Sequence, residues 1–148
     1  MRYWAPGPDR DVQQTRERIE EIDGHWQAYG FGDWAVVGKP DRRVIGFSGL
    51  HHIAHMAEVN IGYALEPAQW RQGLGYEVCR FVLGHGFERL GLPEIVAVID
   101  PRNVASIKLM EKCGLAFQKR LVWLGRERVV YAITGEQWGQ VSDQELSI

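Results

Sequence analysis

The run Gln69-Trp70-Arg71-Gln72-Gly73-Leu74-Gly75-Tyr76-Glu77 constrains this chain more than any other stretch. A strand-like segment precedes it, Val59-Asn60-Ile61-Gly62-Tyr63-Ala64-Leu65, closed by Pro67. A helical pattern follows, with apolar residues at Val78, Phe81, Val82 and Phe87. Two glycines two apart, where a strand feeds a helix, let the backbone turn sharply and present several N–H groups together. The positive end of the helix dipole faces the same spot, which suits a pyrophosphate. Arg71 adds a charge at the mouth. The plain alternative is an ordinary strand-to-helix connection, because short glycine motifs recur without any ligand.

A second segment lies about thirty residues downstream, from Ile99-Asp100-Pro101-Arg102-Asn103 through Ser106 and Met110 to Glu111-Lys112-Cys113-Gly114-Leu115-Ala116-Phe117. Locally it is a strand end, a proline turn, an Asn that caps a helix, a helix of about three turns and Gly114 at the stop. Together the two segments resemble the GNAT superfamily of acetyl-CoA-dependent N-acetyltransferases, most of all the Rim-type branch that acetylates ribosomal-protein N-termini. That branch carries a loop like Trp-Gly-Lys-Gly-Tyr-Ala, matched by Trp70-Arg71-Gln72-Gly73-Leu74-Gly75. Its second signature, Asn-x-x-Ser before a Glu-Lys-x-Gly-x-x-Phe ending, is matched by Asn103, Ser106, Glu111, Lys112, Gly114 and Phe117.

The resemblance implies an α/β fold with a mixed, mostly antiparallel twisted sheet, a splayed central parallel strand pair and flanking helices. It also implies acetyl-CoA as co-substrate, with no metal. The phosphates would rest on Arg71, Gln72, Gly73, Leu74, Gly75 and Tyr76. The pantetheine arm would lie along the backbone of Tyr63, Ala64 and Leu65, between strands Ala57–Leu65 and Glu94–Ile99, and reach Asn103. Family members begin with a strand and helix before the segment that Met1-Arg2-Tyr3-Trp4 resembles, so the first strand and helix are expected to be missing here. An unpaired sheet edge is a template for pairing, which motivates a homodimer.

At 148 residues the chain is expected to be one domain, residues 1–148. A hydrophobic share of 45% and a charged share of 24% are ordinary for a globular protein, and a net charge of −2 gives no reason to expect nucleic acid or an anionic membrane as partner. No apolar run approaches the roughly 20 residues that span a bilayer, and no signal-peptide core opens the chain. Cys79 and Cys113 both fall in helical stretches and are expected as small core residues of a cytoplasmic protein, without a disulfide.

Along the chain, Pro6-Gly7-Pro8-Asp9 is a turn, and Asp9 or Asp11 caps a helix whose positions Val12, Thr15, Ile19, Ile22, Trp26 and Tyr29 form one buried stripe ending at Gly30. Strands follow at Trp34–Gly38 and Val44–Leu50 around the turn Lys39-Pro40-Asp41-Arg42. The helix after the glycine loop runs to about Leu90, and Ile95–Ile99 reads as a strand buried on both faces. Ala116–Leu124 and Arg128–Thr134 form a hairpin near Gly125, and the tail from Ser142 to Ile148 reads as polar and frayed.

Acetyl transfer needs a neutral amine, so a proton acceptor is required: side-chain amines ionise near ~10.4 and α-amines near ~8. Glu58 is the candidate base, sharing a strand face with Asn60 and Gly62 by period-two alternation; a solvated Glu at a strand start is the alternative. The branch often has Glu where Asn60 stands. The resemblance gives Asn103 to the pantetheine, and helix capping is compatible with that. It assigns protonation of the leaving thiolate to Ser106, since the Tyr of other members corresponds to Met110; a helix-start Ser bonding the backbone is the alternative.

His51, His52 and His55 form a cluster between strands, with His51 and His52 on opposite faces, which fits a polar lining better than a metal. Trp34, with Trp4, His52, Glu58 and Asn60, is expected around the acceptor amine, either a protein N-terminus or a small molecule. The rival class is a non-catalytic acyl-CoA sensor with the same fold. A dinucleotide enzyme is disfavoured because the loop lacks the third glycine and the ribose-binding acid.

Overall fold

A computed structural model of the chain describes residues 9–53 and 56–146, with side chains through residue 142. The expectations placed on Met1–Trp4, on the turn before Asp9 and on His55 lie outside the described residues.

Six strands form one sheet: β1 Asp33–Val37, β2 Val44–His52, β3 Val59–Leu65, β4 Glu94–Ile99, β5 Ala116–Trp123 and β6 Arg126–Thr134, in the order β1-β2-β3-β4-β6-β5. Every neighbouring pair is antiparallel except β3 and β4. These two run parallel, pair only at Val59↔Ile95 and Asn60↔Val96, and then part. This is the mixed sheet with a splayed central pair that the two motifs imply. The helices are α1 Val12–Tyr29, α2 Leu74–Gly84, α3 Val104–Lys112 and α4 Gly135–Leu146, with a π-helical turn at His85–Arg89 prolonging α2. No helix among the described residues is long and apolar enough to cross a membrane.

The core sits where one face of the sheet meets α2 and α3. Alternate strand residues Val59, Ile61, Ile95, Ala97, Ile99, Val129 and Ile133 point into it and meet Cys79, Val82 and Leu83 of α2 with Met110 of α3 and Cys113 behind it. Both cysteines are free and fully buried, and burial first, then the neighbouring Cys113, raises the Cys79 thiol far above its ordinary range. Ile95, Val96 and Ala97 are buried in succession, so β4 is covered on both faces as its unbroken apolar run requires.

Local signals are met closely at α1, which Asp11 caps through Gln14 N–H at 2.8 Å and Gly30 ends at φ 75°. The stripe on that helix is not buried, however. No residue of α1 is buried, and Val12 stands 70% exposed, because only the C-terminal end of α1, through His25 and Trp26, docks on the sheet. On α2 the buried face is Cys79, Val82 and Leu83, which leaves Phe81 66% exposed. The tail is corrected too: residues from Gly135 to Leu146 form α4, whose buried Trp138 stacks on Phe87.

Candidate functional site

The connection from β3 to α2 opens with a short 3-10 turn, Pro67–Gln69, after which the Trp70 indole N–H donates back to the Leu65 carbonyl at 2.9 Å. Arg71 at φ 63° and Gly73 at φ 78° then take the left-handed conformation, and α2 starts at Leu74 with no side chain capping it. The first-turn amides therefore lack the side-chain acceptor that most helix starts carry, and they point out of the loop with the positive end of the dipole. The two glycines do different work. A Cβ on Gly73 would meet nothing within 4 Å, so its role is the positive φ. A Cβ on Gly75 would stand 3.1 Å from Leu109 Cδ2, so Gly75 lets α2 lie close against α3.

Beside this loop lies the parting of β3 and β4. Past Asn60 the β3 edge has no ladder partner on β4, which leaves those peptide groups of Ile61 to Leu65 that face away from β2 open to an extended ligand arm. Leu65 is already engaged at its carbonyl by Trp70. Asn60 is 6% exposed, and its Oδ1 accepts the Val98 N–H at 3.0 Å, bridging the gap with a side chain. The same amide lies 3.1 Å from His51 Nε2, and His51 Nδ1 lies 3.4 Å from Asp33 Oδ1.

Across the parting, Asn103 Oδ1 accepts the Ser106 N–H at 3.1 Å and caps α3. The cap uses the carbonyl end of the Asn103 amide, and its NH2 end is not engaged by it. Ser106 is buried, and its hydroxyl neighbours that of Tyr63, whose pKa is raised, by burial above all and against the opposing pull of Ser106. The resemblance assigns Tyr63 a backbone role alone; its side chain also reaches the foot of α3. Met110 is buried in the core and offers no proton there. The turn into α3 is held by Asp100. Its carboxylate accepts from Arg102 N–H, Nε and Nη2 and from the buried Arg128 Nη1, and these bonds, Arg102 first, hold it well below the usual carboxylate range.

The remaining sequence candidates scatter. β3 begins at Val59, so Glu58 sits in a bend before the strand, and the alternation invoked to align it with Asn60 does not reach it. β2 runs through His52, so His51 and His52 are strand residues on opposite faces and not a loop cluster. His52 faces α1, packed against Tyr29 and Phe31, and its backbone N–H donates to His25 Nε2 at 3.1 Å. Burial, then His25 and His51, lowers its pKa. Trp34 is held between Trp26 of α1 and Phe81 and His85 at the end of α2, as a packing hub. Among the described residues no three His, Cys, Asp or Glu side chains converge as metal ligands. An open groove of about 1000 Å³, lined by Arg80, Phe81, His85 and Trp138, lies at the far end of α2 from the loop.

Known proteins match this architecture. The acetyltransferase (GNAT) domain model matches residues 1–116. The uncharacterized N-acetyltransferase YoaA of Bacillus subtilis is 32% identical over 119 residues, which cover 80% of this chain and 66% of that protein, so the chain spans just under two thirds of this relative. A GnaT-family acetyltransferase structure from Bordetella pertussis superposes with a TM-score of 0.79 at 21% identity, over 87% of this chain and 81% of that one. The ribosomal-protein-S5-alanine acetyltransferase of Vibrio fischeri superposes with a TM-score of 0.74 at 16% identity, over 89% and 79%. The structural likenesses speak for the fold; the sequence match, over the segment that holds the glycine loop and the Asn103 helix, decides the family. The chain belongs to the acetyltransferase (GNAT) domain family of acyltransferase enzymes.

Proposed function

We propose that the protein moves an acetyl group from acetyl-CoA to a primary amine by direct transfer in a ternary complex. The observation that carries this reading is the adjacency of the uncapped α2 start, entered through left-handed Arg71 and Gly73, to the parting of β3 and β4. The residues fit the co-substrate: amides of Gln72 to Tyr76 for the pyrophosphate, the free β3 edge for the pantetheine, and the Asn103 side-chain NH2 beside it. Bound there, acetyl-CoA supplies the activated acyl group. Ser106, with the Tyr63 hydroxyl next to it, returns a proton to the departing sulfur.

Trp70, which pins the loop to Leu65, supports a Rim-type acceptor: a protein N-terminus, or a small amine of similar reach. Among the described residues β1 pairs on one side only, which supports a homodimer that sedimentation would detect. Buried Met110 in place of a tyrosine donor favours a second reading, a non-catalytic acyl-CoA sensor. Thiol release from acetyl-CoA against a panel of N-terminal peptides, polyamines and amino acids tests the choice. Turnover with any acceptor supports transfer and excludes the sensor; calorimetric acetyl-CoA binding with no turnover supports the sensor and excludes transfer.

A further inference from the structure

We propose that His51, supported by Asp33, is the base that accepts the proton of the incoming amine. The inference deepens the transferase reading and rests on it. Strand register puts Asp33 opposite Gly49, Gly49 opposite Gly62, and His51 opposite Asn60. By period-two alternation these five residues share one face of the sheet, and Tyr63, with its neighbour Ser106, takes the other. Gly62 makes room for the imidazole, since a Cβ there would stand 3.1 Å from His51 Cε1. A Cβ on Gly49 would run first into the backbone of Gly32 and Asp33 and then come within 2.7 Å of Asp33 Oδ1, so that glycine admits the close approach of β1.

The hydrogen bonds assign the tautomer. A backbone N–H only donates, so the Val98 N–H fixes Asn60 Oδ1 as acceptor and turns the Asn60 NH2 toward His51. His51 Nε2 must then be the bare, accepting nitrogen, and Nδ1 carries the hydrogen toward Asp33. Asp33 Oδ1 and His51 Nδ1 are buried, stand 3.4 Å apart, and have no hydrogen-bond partner among the described residues, each other included. A carboxylate behind one ring nitrogen and a bare nitrogen in front is the arrangement that holds an imidazole ready to take a proton and stabilises the cation formed. His51 keeps a third of its side-chain surface open, so the front can be approached. Asp33 on β1 is the charged group in contact with it; His52, next in β2, acts from the opposite face, and Asn60 and Gly62 bring no charge. Glu58, in the bend before β3, is outside this network.

The step balances. The ammonium gives one proton to Nε2 and becomes a neutral amine; Asn60 yields its bond to Nε2 but keeps Val98. The amine nitrogen forms the C–N bond, the C–S bond breaks, and the sulfur takes a proton from the Ser106 side. The nitrogen proton displaced on amide formation restores that donor, and His51 releases its own to solvent. A donor arm lying in the parting from the α2–α3 side and an amine arriving from the His51 side would meet between β3 and β4.

His51→Gln is the informative variant, because its amide oxygen can still accept from Asn60 while losing basicity. Thiol release would be followed from about pH 6.5 to about pH 9.5, spanning imidazole and α-amine ionisation, beside acetyl-CoA affinity by calorimetry. The expected result is a fall of about 100-fold in kcat/KM for the amine near neutrality, shrinking as pH rises and the amine neutralises itself, with acetyl-CoA affinity unchanged. Asp33→Asn, which leaves the backbone carbonyl used by Trp26 in place, should move turnover the same way and serves alone if His51→Gln does not fold. Wild-type turnover in either folded variant overturns the role, as does a parallel loss of acetyl-CoA binding, which would make the pair structural. A wild-type protein that binds acetyl-CoA and acetylates nothing overturns the transferase reading and the role of His51 with it.

Discussion

Asn60 Oδ1 accepts the Val98 N–H at 3.0 Å, two residues along β4 from Val96, where the backbone pairing of β3 with β4 ends. A side chain thus stands in for a rung of the ladder, and the strands stay parted without leaving the Val98 amide unsatisfied. Asn60→Ala should leave that half-buried N–H without a protein partner and lower stability by about 1 kcal/mol. It should also weaken acetyl-CoA binding, because the width of the parting is no longer set. Chemical denaturation read beside calorimetric titration checks both. Unchanged affinity in a destabilised variant would confine Asn60 to stability.

Ser106 offers a clean separation of cap from chemistry. The α3 cap runs from Asn103 Oδ1 to the Ser106 backbone N–H, so Ser106→Ala keeps it. Ala is also the better helix former. The variant should lose about 1 kcal/mol of stability at most, the worth of the bond to the Tyr63 hydroxyl, and should slow the chemical step about tenfold or more if the hydroxyl protonates the thiolate. Tyr63→Phe should slow the same step, and the double variant should fall short of the product of the two effects, since their hydroxyls are neighbours. Single-turnover rates decide it; multiplicative effects would sever the pair.

The glycine loop separates conformation from packing. Gly73 stands at φ 78° with open space around its Cα, so Gly73→Ala strains the backbone by roughly 1–2 kcal/mol and should loosen phosphate binding without a clash. Gly75→Ala puts a methyl 3.1 Å from Leu109 Cδ2 and should lower the melting temperature through the α2–α3 contact. The expected pattern is a larger loss of CoA affinity for Gly73→Ala and a larger loss of melting temperature for Gly75→Ala. The reverse pattern would exchange the roles of the two glycines.

What the sequence made legible was local. The α1 cap (Asp11, of the two candidates Asp9 and Asp11), Gly30, the turn near Gly125, the Asn103 cap and the turn of the glycine loop are each written within a few residues, and each appears in place. The start of α4 is written just as locally: Thr134 and Gln137 form a reciprocal capping box, with bonds of 2.9 and 3.2 Å, but the polar composition of the stretch that follows masks it. The α1 stripe misleads because periodicity reports an apolar face and not what covers it. The Asp33–His51–Asn60 chain is hidden for another reason. Its members come from three strands, and only the register, which a one-residue slip would invert, brings them to one face.

Asp100 gives the fold a defined response to acid. Its buried carboxylate is held well below the usual range by Arg102 and Arg128, and the bonds that Asp100 accepts from the Arg102 and Asn103 backbone N–H groups, at its carboxylate and its carbonyl in turn, fix the turn into α3. A group whose folded pKa lies below its unfolded value of about 3.9 binds fewer protons folded than unfolded. Its contribution is therefore complete above that value and is lost as pH falls toward the folded pKa. Wild-type stability should decline below about pH 4 more steeply than that of Asp100→Asn, whose neutral side chain does not titrate. Arg128→Met, which removes the buried partner while the exposed Arg102 still compensates the charge, should lower stability near neutrality by a few kcal/mol, about the lower end of what breaking a buried pair costs. It should also flatten the acid limb. Urea midpoints for the three proteins from about pH 7 down to about pH 2.5 test the sign; parallel curves would show that Asp100 is not the group through which acid acts.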